Sequence, residues 1–168
     1  AEELFVTNGY DKTSDSDIVK KVGVAQGTFY YYFKTKEEVL DAIATRHFSE
    51  VTREFEKIDR SQPAPQQMRL MFQALFQKTT RRGHGGLFGY LIREKHFHLL
   101  DKLQQKGAAM FSPVFLGIIE QGMQEGSMHV VQPEAVVNLF AVMMERLYQL
   151  YSGGDYQKFY QHVQAVEC

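Results

Sequence analysis

The residues able to do chemistry fall into two groups. Glu94, His96 and His98, with His84 upstream, are of types that ligate a metal. On a helix Glu94 and His98 would share a face at i, i+4, whereas His96 and His98, two apart, would not. No cysteine lies near them, and a metal site is not expected. No nucleophile stands at a recognisable spacing from a base. Gly83, Gly85 and Gly86 follow none of the phosphate-cradling glycine patterns and read as loop hinges. Neither catalytic residues nor a cofactor are expected. The second group lies in GVAQGTFYYYFKTKEEVL, residues 23–40, where five aromatics run from Phe29 to Phe33. A helix buries only part of its circumference, so some of these rings must meet something outside their own core. Phe29, Tyr32 and Phe33, at i, i+3 and i+4, can share a buried face. Tyr30 and Tyr31 then point elsewhere, with Gln26 and Thr28, as a surface suited to a partner. Gly27 permits close backbone approach where unbonded N–H groups attract phosphate. Lys36 is a cation at a helix start, unfavourable by the helix dipole but within reach of a neighbouring phosphate.

These residues need helices to position them, and the apolar spacing supplies helices almost throughout. A first helix, 1–8, places Leu4 and Phe5 on one face and stops at Asn8-Gly9. Ser14 is an N-cap, followed by Asp15 and Asp17 in the first turn of a helix with Ile18, Val19 and Val22 on its apolar face. Gly23-Val24 breaks that helix, and another runs over 26–32. Thr35 and Glu38 form a capping box that opens a long helix through Ile58. Residues 61–65, Ser-Gln-Pro-Ala-Pro, read as a linker before a helix over 66–80. Short and long helices are expected over 87–93 and 97–124, the latter kinked at Pro113. Pro133 starts a helix through 151, and 156–166 is the last. The expected fold class is all-α, with a unit of three short helices over 1–35 and a helical remainder over 36–168.

Composition bounds the function further. The formal net charge of −1 gives the whole chain no basic footprint of the kind common in nucleic-acid binders. Residues 1–40 hold five lysines (12, 20, 21, 34, 36) against seven Asp or Glu. The single cysteine, Cys168, excludes an intramolecular disulfide and suits a cytoplasmic setting. No apolar run approaches the ~18 residues of a membrane span. The chain opens at Ala1 inside a helical segment, so residues are expected to precede it, in an arm that adds positive charge.

Residues 13–33, two short helices joined at Gly23, have the helix-turn-helix arrangement, whose second helix enters the DNA major groove. The stretch GYDKTSDSDIVKKVGVAQGTFYYYFKTKEEVL, residues 9–40, closely resembles the DNA-binding region of the TetR family of bacterial transcriptional regulators. The resemblance rests on Gly9-Tyr10, Asp17-Ile18, Gly23-Val24, Gly27-Thr28, Tyr30, Tyr32-Phe33 and Lys36-Glu37-Glu38. Gly122, Gly126 and Pro133 look like that family's ending of its seventh helix. It implies a homodimer joined through the last two helices, operator DNA as partner, and a small-molecule effector among the middle helices. It implies phosphate contacts from Ser14, Thr28, Tyr30 and Lys36, and base or phosphate contacts from Gln26, Tyr31 and Tyr32, with Gly27 close to the backbone. One departure matters. Ala25 stands where relatives often have Ser, weakening the cap by about 1 kcal/mol.

Met68, Met71, Phe72, Phe88, Phe111, Phe115 and Met143 belong to a soft apolar set that packs a core and can line an effector pocket. Glu145 and Arg146, within an apolar helix, could pair across a dimer or orient a ligand. Two function classes follow. One is a dimeric, effector-responsive repressor on a pseudo-palindromic operator. The other is a helical small-molecule-binding protein or enzyme whose hairpin is purely structural. Salt-dependent DNA affinity separates them.

Overall fold

The helical spacing of the sequence resolves into eight helices among the described residues, in the order α1 Glu2–Asn8, α2 Asp15–Val22, α3 Gln26–Tyr32, α4 Lys36–Glu56, α5 Ala64–Arg81, α6 Gly86–Arg93, α7 Phe97–Gln124 and α8 Pro133–Ser152. The computed structural model of the protein describes residues 1–81, 86–152, 157, 158 and 161. Gly83, His84, Gly85, Cys168 and most of the expected helix 156–166 lie outside the described residues, and so does the side chain of Glu145. The fold is all-α.

Packing divides the chain into two units, Ala1–His47 and Phe48–Cys168. The division falls inside α4, later than the expected change at residues 35 and 36, because Val39, Leu40 and Ala44 of α4 are themselves buried. In the first unit Phe5, Tyr10, Ile18 and Phe29 are buried, and α2 packs on α3. Glycine ends α2 for a conformational reason. Gly23 sits at φ 76°, ψ 31°, and its N–H donates to the Val19 carbonyl at 2.9 Å. A Cβ is disfavoured in that left-handed region.

The second unit is built on α4's later turns and α5, α7 and α8. Val51, Phe55, Ile58, Ala64, Met71, Leu75, Phe115, Ile118, Ile119 and Val137 form one apolar cluster. Phe72, Leu147 and Leu150 form another, with Met68, Phe140 and Met144 packed against both. Rings mesh edge to face or tilted, with Phe115 and Phe140 centroids 4.5 Å apart. All seven candidate pocket residues fall in this unit. Met71 and Phe115 are in the first cluster and Phe72 in the second. Met68 and Phe111 pack against the first cluster, Met143 against the second, and Phe88 meets Phe48 at 5.5 Å.

The start of α5 differs from expectation. α5 begins at Ala64, inside the expected linker, because Glu125 accepts the Ala64 N–H at 3.0 Å and so caps the helix from afar. α6 stops at Arg93 and α7 starts at Phe97, as expected, with Lys95 between them at φ 60°. Glu94 and His98 therefore share no helix, and no group of His, Cys, Asp or Glu suited to a metal occurs among the described residues. α7 runs on through Pro113, which is exposed.

A polar network ties α5 to the end of α7. Gln67 is fully buried, and its Nε2 donates to the Gln62 carbonyl (2.7 Å), the Arg60 carbonyl (3.2 Å) and Gln121 Oε1 (2.9 Å). Its Oε1 accepts from Arg60 at 3.3 Å. Gln121 in turn donates to Glu125. The Glu125 carboxyl lies below its ordinary range because Gln121, the Ala64 N–H and Ser127 all stabilise the anion. Close approach completes the joint. A Cβ on Gly122 would stand 2.6 Å from Met128 Cγ and 3.1 Å from Ala64 Cβ. Replacing Gln67 by Met keeps the volume but withdraws the donors. The expected cost is about 1–3 kcal/mol, read from denaturant unfolding of the whole chain.

Candidate nucleic-acid interface

The surface is assembled from the starts of α2, α3 and α4. Ser14 Oγ accepts the Asp17 N–H at 3.1 Å, while Asp17 Oδ2 accepts from the Ser14 N–H (2.9 Å) and hydroxyl (2.6 Å). Both halves of this capping box are in place, and the same hydrogen bonds hold the Asp17 carboxyl below its ordinary range. α3 starts with no such help. Its N-cap is Ala25, without a side-chain hydrogen bond, as the sequence implies. Its other end is tied down by Lys34, whose Nζ donates to the Tyr30 carbonyl at 2.7 Å, a cation at the negative pole of the helix.

Thr35 Oγ1 accepts the Glu38 N–H at 3.2 Å, as expected of the cap of α4. The returning bond differs. Glu38 Oε2 accepts from the N–H of Lys34, at 2.7 Å, one residue before the cap. Lys36 is engaged inside the domain. Its Nζ donates to the carbonyl oxygens of Tyr10 (2.8 Å), Asp11 (3.2 Å) and Thr13 (3.4 Å) and lies 4.5 Å from the Tyr10 ring centroid. These acceptors offset the dipole cost of a lysine at a helix start.

The aromatic run divides differently from the helical wheel. Phe29 is buried and Phe33 half-buried, but Tyr32 is 68% exposed. The expected burial of Tyr32 is thus corrected. α2 lies on the Tyr30 side of α3, where the Tyr30 hydroxyl donates to Asp15 Oδ2 at 3.3 Å. Helix α3 also ends at Tyr32, so Phe33 leaves the helical register at φ −133°, ψ 124°. Tyr31 is 77% exposed, and its ring meets that of Tyr32 edge on at 5.0 Å. Ser14, Gln26, Gly27, Thr28, Tyr30, Tyr31 and Tyr32 are all exposed, and Lys36 is half-buried. The sequence reading missed the positioning roles of Asp15 and Lys34. The usable signal for Lys34 was a cation four residues after Tyr30, at the end of a short helix.

The family model described as bacterial regulatory proteins, tetR family, matches residues 1–43. Residues 1–43 are thus a TetR-type DNA-binding domain. It is 57% identical over 44 residues to the uncharacterized HTH-type transcriptional regulator YvdT of Bacillus subtilis (strain 168), covering 26% of this chain and 23% of that one. It is 28% identical over 130 residues to the fatty acid metabolism regulator protein of the same organism, covering 75% and 66%. The matched regions thus span from under a quarter to about two thirds of these curated relatives. A solved structure of a bacterial regulatory protein in the tetR family from Rhodococcus RHA1 has the same fold, with TM-score 0.60 and 20% identity, covering 100% of this chain and 93% of that one.

Tyr10, under the Lys36 ammonium, supplies a pH test of this domain. Its phenol is pushed up to about 12, first by burial and then by the charges of Glu37, Asp11 and Asp15. A raised folded value stabilises the fold fully below the unfolded value of about 10. That stabilisation is lost as pH rises through the folded value. Absorbance titration of the TetR-type domain within the full chain should show a phenol ionising near pH 12 that Tyr10→Phe removes. Stability of the parent should decline above about pH 10.

Proposed function

We propose that this chain is a dimeric transcriptional repressor of the TetR family that binds a pseudo-palindromic operator and is released by a small, largely apolar effector. The observation that carries the reading is the solvent-facing surface of α3. Gln26, Thr28, Tyr31 and Tyr32 stand exposed on a helix anchored by Phe29, and Tyr30, also exposed, adds a hydrogen bond to Asp15. Thr28 and Tyr30 are placed for phosphates, and Gln26, Tyr31 and Tyr32 for base edges. Such a protein acts in the cytoplasm, where the operator is. No helix among the described residues is long and apolar enough to cross a membrane.

The second unit suits an effector of apolar character. Its core is rich in Met and Phe, side chains that adapt to varied apolar shapes. A relative matching three quarters of the chain is named a fatty acid metabolism regulator protein, which fits an apolar effector. α4 contributes residues to both units. An effector that prefers one setting of α4 would change the spacing of two reading heads, which must match half-sites about 34 Å apart.

Dimerisation is supported by α8. Val137, Leu147 and Leu150 are buried on one side, while Leu139 (69% exposed) and Val142 (63% exposed) face outward with Val136. An apolar stripe of that kind usually meets a partner. Leu139→Asp should convert the dimer to monomer in sedimentation velocity at micromolar concentration, with helix content unchanged.

DNA binding is tested by gel shift against the gene's own upstream DNA. Tyr31→Ala should weaken binding about 5- to 100-fold, the loss of one good base contact, without lowering the melting temperature. No shift by the parent protein on any upstream fragment would refute the regulator reading.

A further inference from the structure

Helix α3 offers a narrow chemistry to the bases it meets. Phe29 is buried, and Tyr31, two residues on and so on the side away from it, is 77% exposed. Tyr32, 68% exposed, sets its ring edge-on to that of Tyr31 at 5.0 Å. Most of two aromatic rings therefore stands open to solvent. Gln26 is exposed on the same helix. With Thr28 and Tyr30 placed for phosphates, Gln26, Tyr31 and Tyr32 are the side chains left for base edges. The helix, QGTFYYY, carries no lysine, arginine, aspartate or glutamate. The nearest cations along the chain are engaged, Lys21 with Glu3 at 3.2 Å and Lys34 with the Tyr30 carbonyl at 2.7 Å.

We infer that the base pairs read by α3 in the major groove are A·T pairs, with thymine recognised through its C5 methyl group by the Tyr31 and Tyr32 rings and adenine by the Gln26 amide; the inference rests on the DNA-binding function proposed above and names the bases of that site. Guanine is read through O6 and N7 by the fork of an arginine or by a lysine, and cytosine by a carboxylate that accepts from N4. α3 holds neither kind of side chain. Adenine presents an N6 donor beside an N7 acceptor, which a glutamine amide matches with both its atoms. Thymine alone presents a methyl group in the groove, and an apolar surface recognises it. Two exposed rings set edge to face give that methyl a place to leave water.

The test begins with duplexes selected by the full chain from a random-sequence pool. The positions read by α3 are those where Gln26→Ala or Tyr31→Ala relaxes the base preference, and they should be A·T pairs. Replacing a thymine there by deoxyuridine removes the methyl group and nothing else. The parent should lose about fourfold in affinity for each thymine so changed. Replacing an adenine there by 7-deazaadenine removes one acceptor, and the loss should be about 2- to 10-fold. Tyr31→Ala should bind thymine and deoxyuridine duplexes alike at the position it affects. Tyr31→Phe, which keeps the ring and drops the hydroxyl, should prefer thymine as the parent does. The deoxyuridine scan needs only the parent protein, so it stands whether or not the variants fold. The inference is overturned if the positions are G·C pairs, if deoxyuridine at every thymine leaves the affinity unchanged, or if Tyr31→Phe loses the preference for thymine. Each of those results leaves DNA binding itself standing. A parent that enriches no sequence from the pool overturns the DNA-binding reading, and this inference with it.

Discussion

Backbone carbonyls that leave a helix must find donors, and the reading head is organised around that demand. The connection after α1 turns three carbonyls toward one point, and one lysine side chain, reaching from twenty or more residues downstream, answers all of them. Side chains serve other helix ends of the domain too. Lys34 donates to a carbonyl at the end of α3, while Thr35 and Ser14 accept N–H groups at the starts of α4 and α2. The head has a small apolar core of Phe5, Tyr10, Ile18 and Phe29. Side chains that satisfy helix ends therefore do much of the work of fixing where α3 lies.

The second unit solves the same problem with glutamines. Gln67 and Gln121 gather the carbonyls of residues 60 and 62, and Glu125 reaches back to cap α5. Gly122 lets the end of α7 close against Ala64 and Met128. This joint stands beside the apolar clusters and sets the register between α5 and α7, which greasy Met and Phe side chains alone would leave loose.

What could be read from the sequence follows from range. Helix existence came from local spacing, and the capping roles of Ser14 and Thr35 and the stop at Gly23 came from residues within four positions. Tyr32 was misplaced because a helical wheel knows the angle of a side chain but not which neighbour lies beside the helix; Asp15, from another helix, drew the buried side toward Tyr30. The start of α5 was misplaced because its cap, Glu125, is sixty-one residues away. The tie between Lys36 and the α1–α2 connection was hidden for the same reason. The break between α6 and α7 was legible as well, and it keeps Glu94 and His98 from sharing a helix face. The exposed character of α3 was legible because three tyrosines on seven residues exceed what one small core can hold.

The lysines of the head have one more consequence. Within residues 1–40, Lys21 pairs with Glu3 at 3.2 Å, Lys34 holds the end of α3, and Lys36 holds the α1–α2 connection. Attraction to DNA of arbitrary sequence comes almost wholly from cations meeting phosphates. Of the five lysines there, two are thus bonded to the domain's own backbone and one to a carboxylate. On a head so engaged, DNA binding would depend shallowly on salt, and discrimination between sequences would fall to the exposed tyrosines more than to charge.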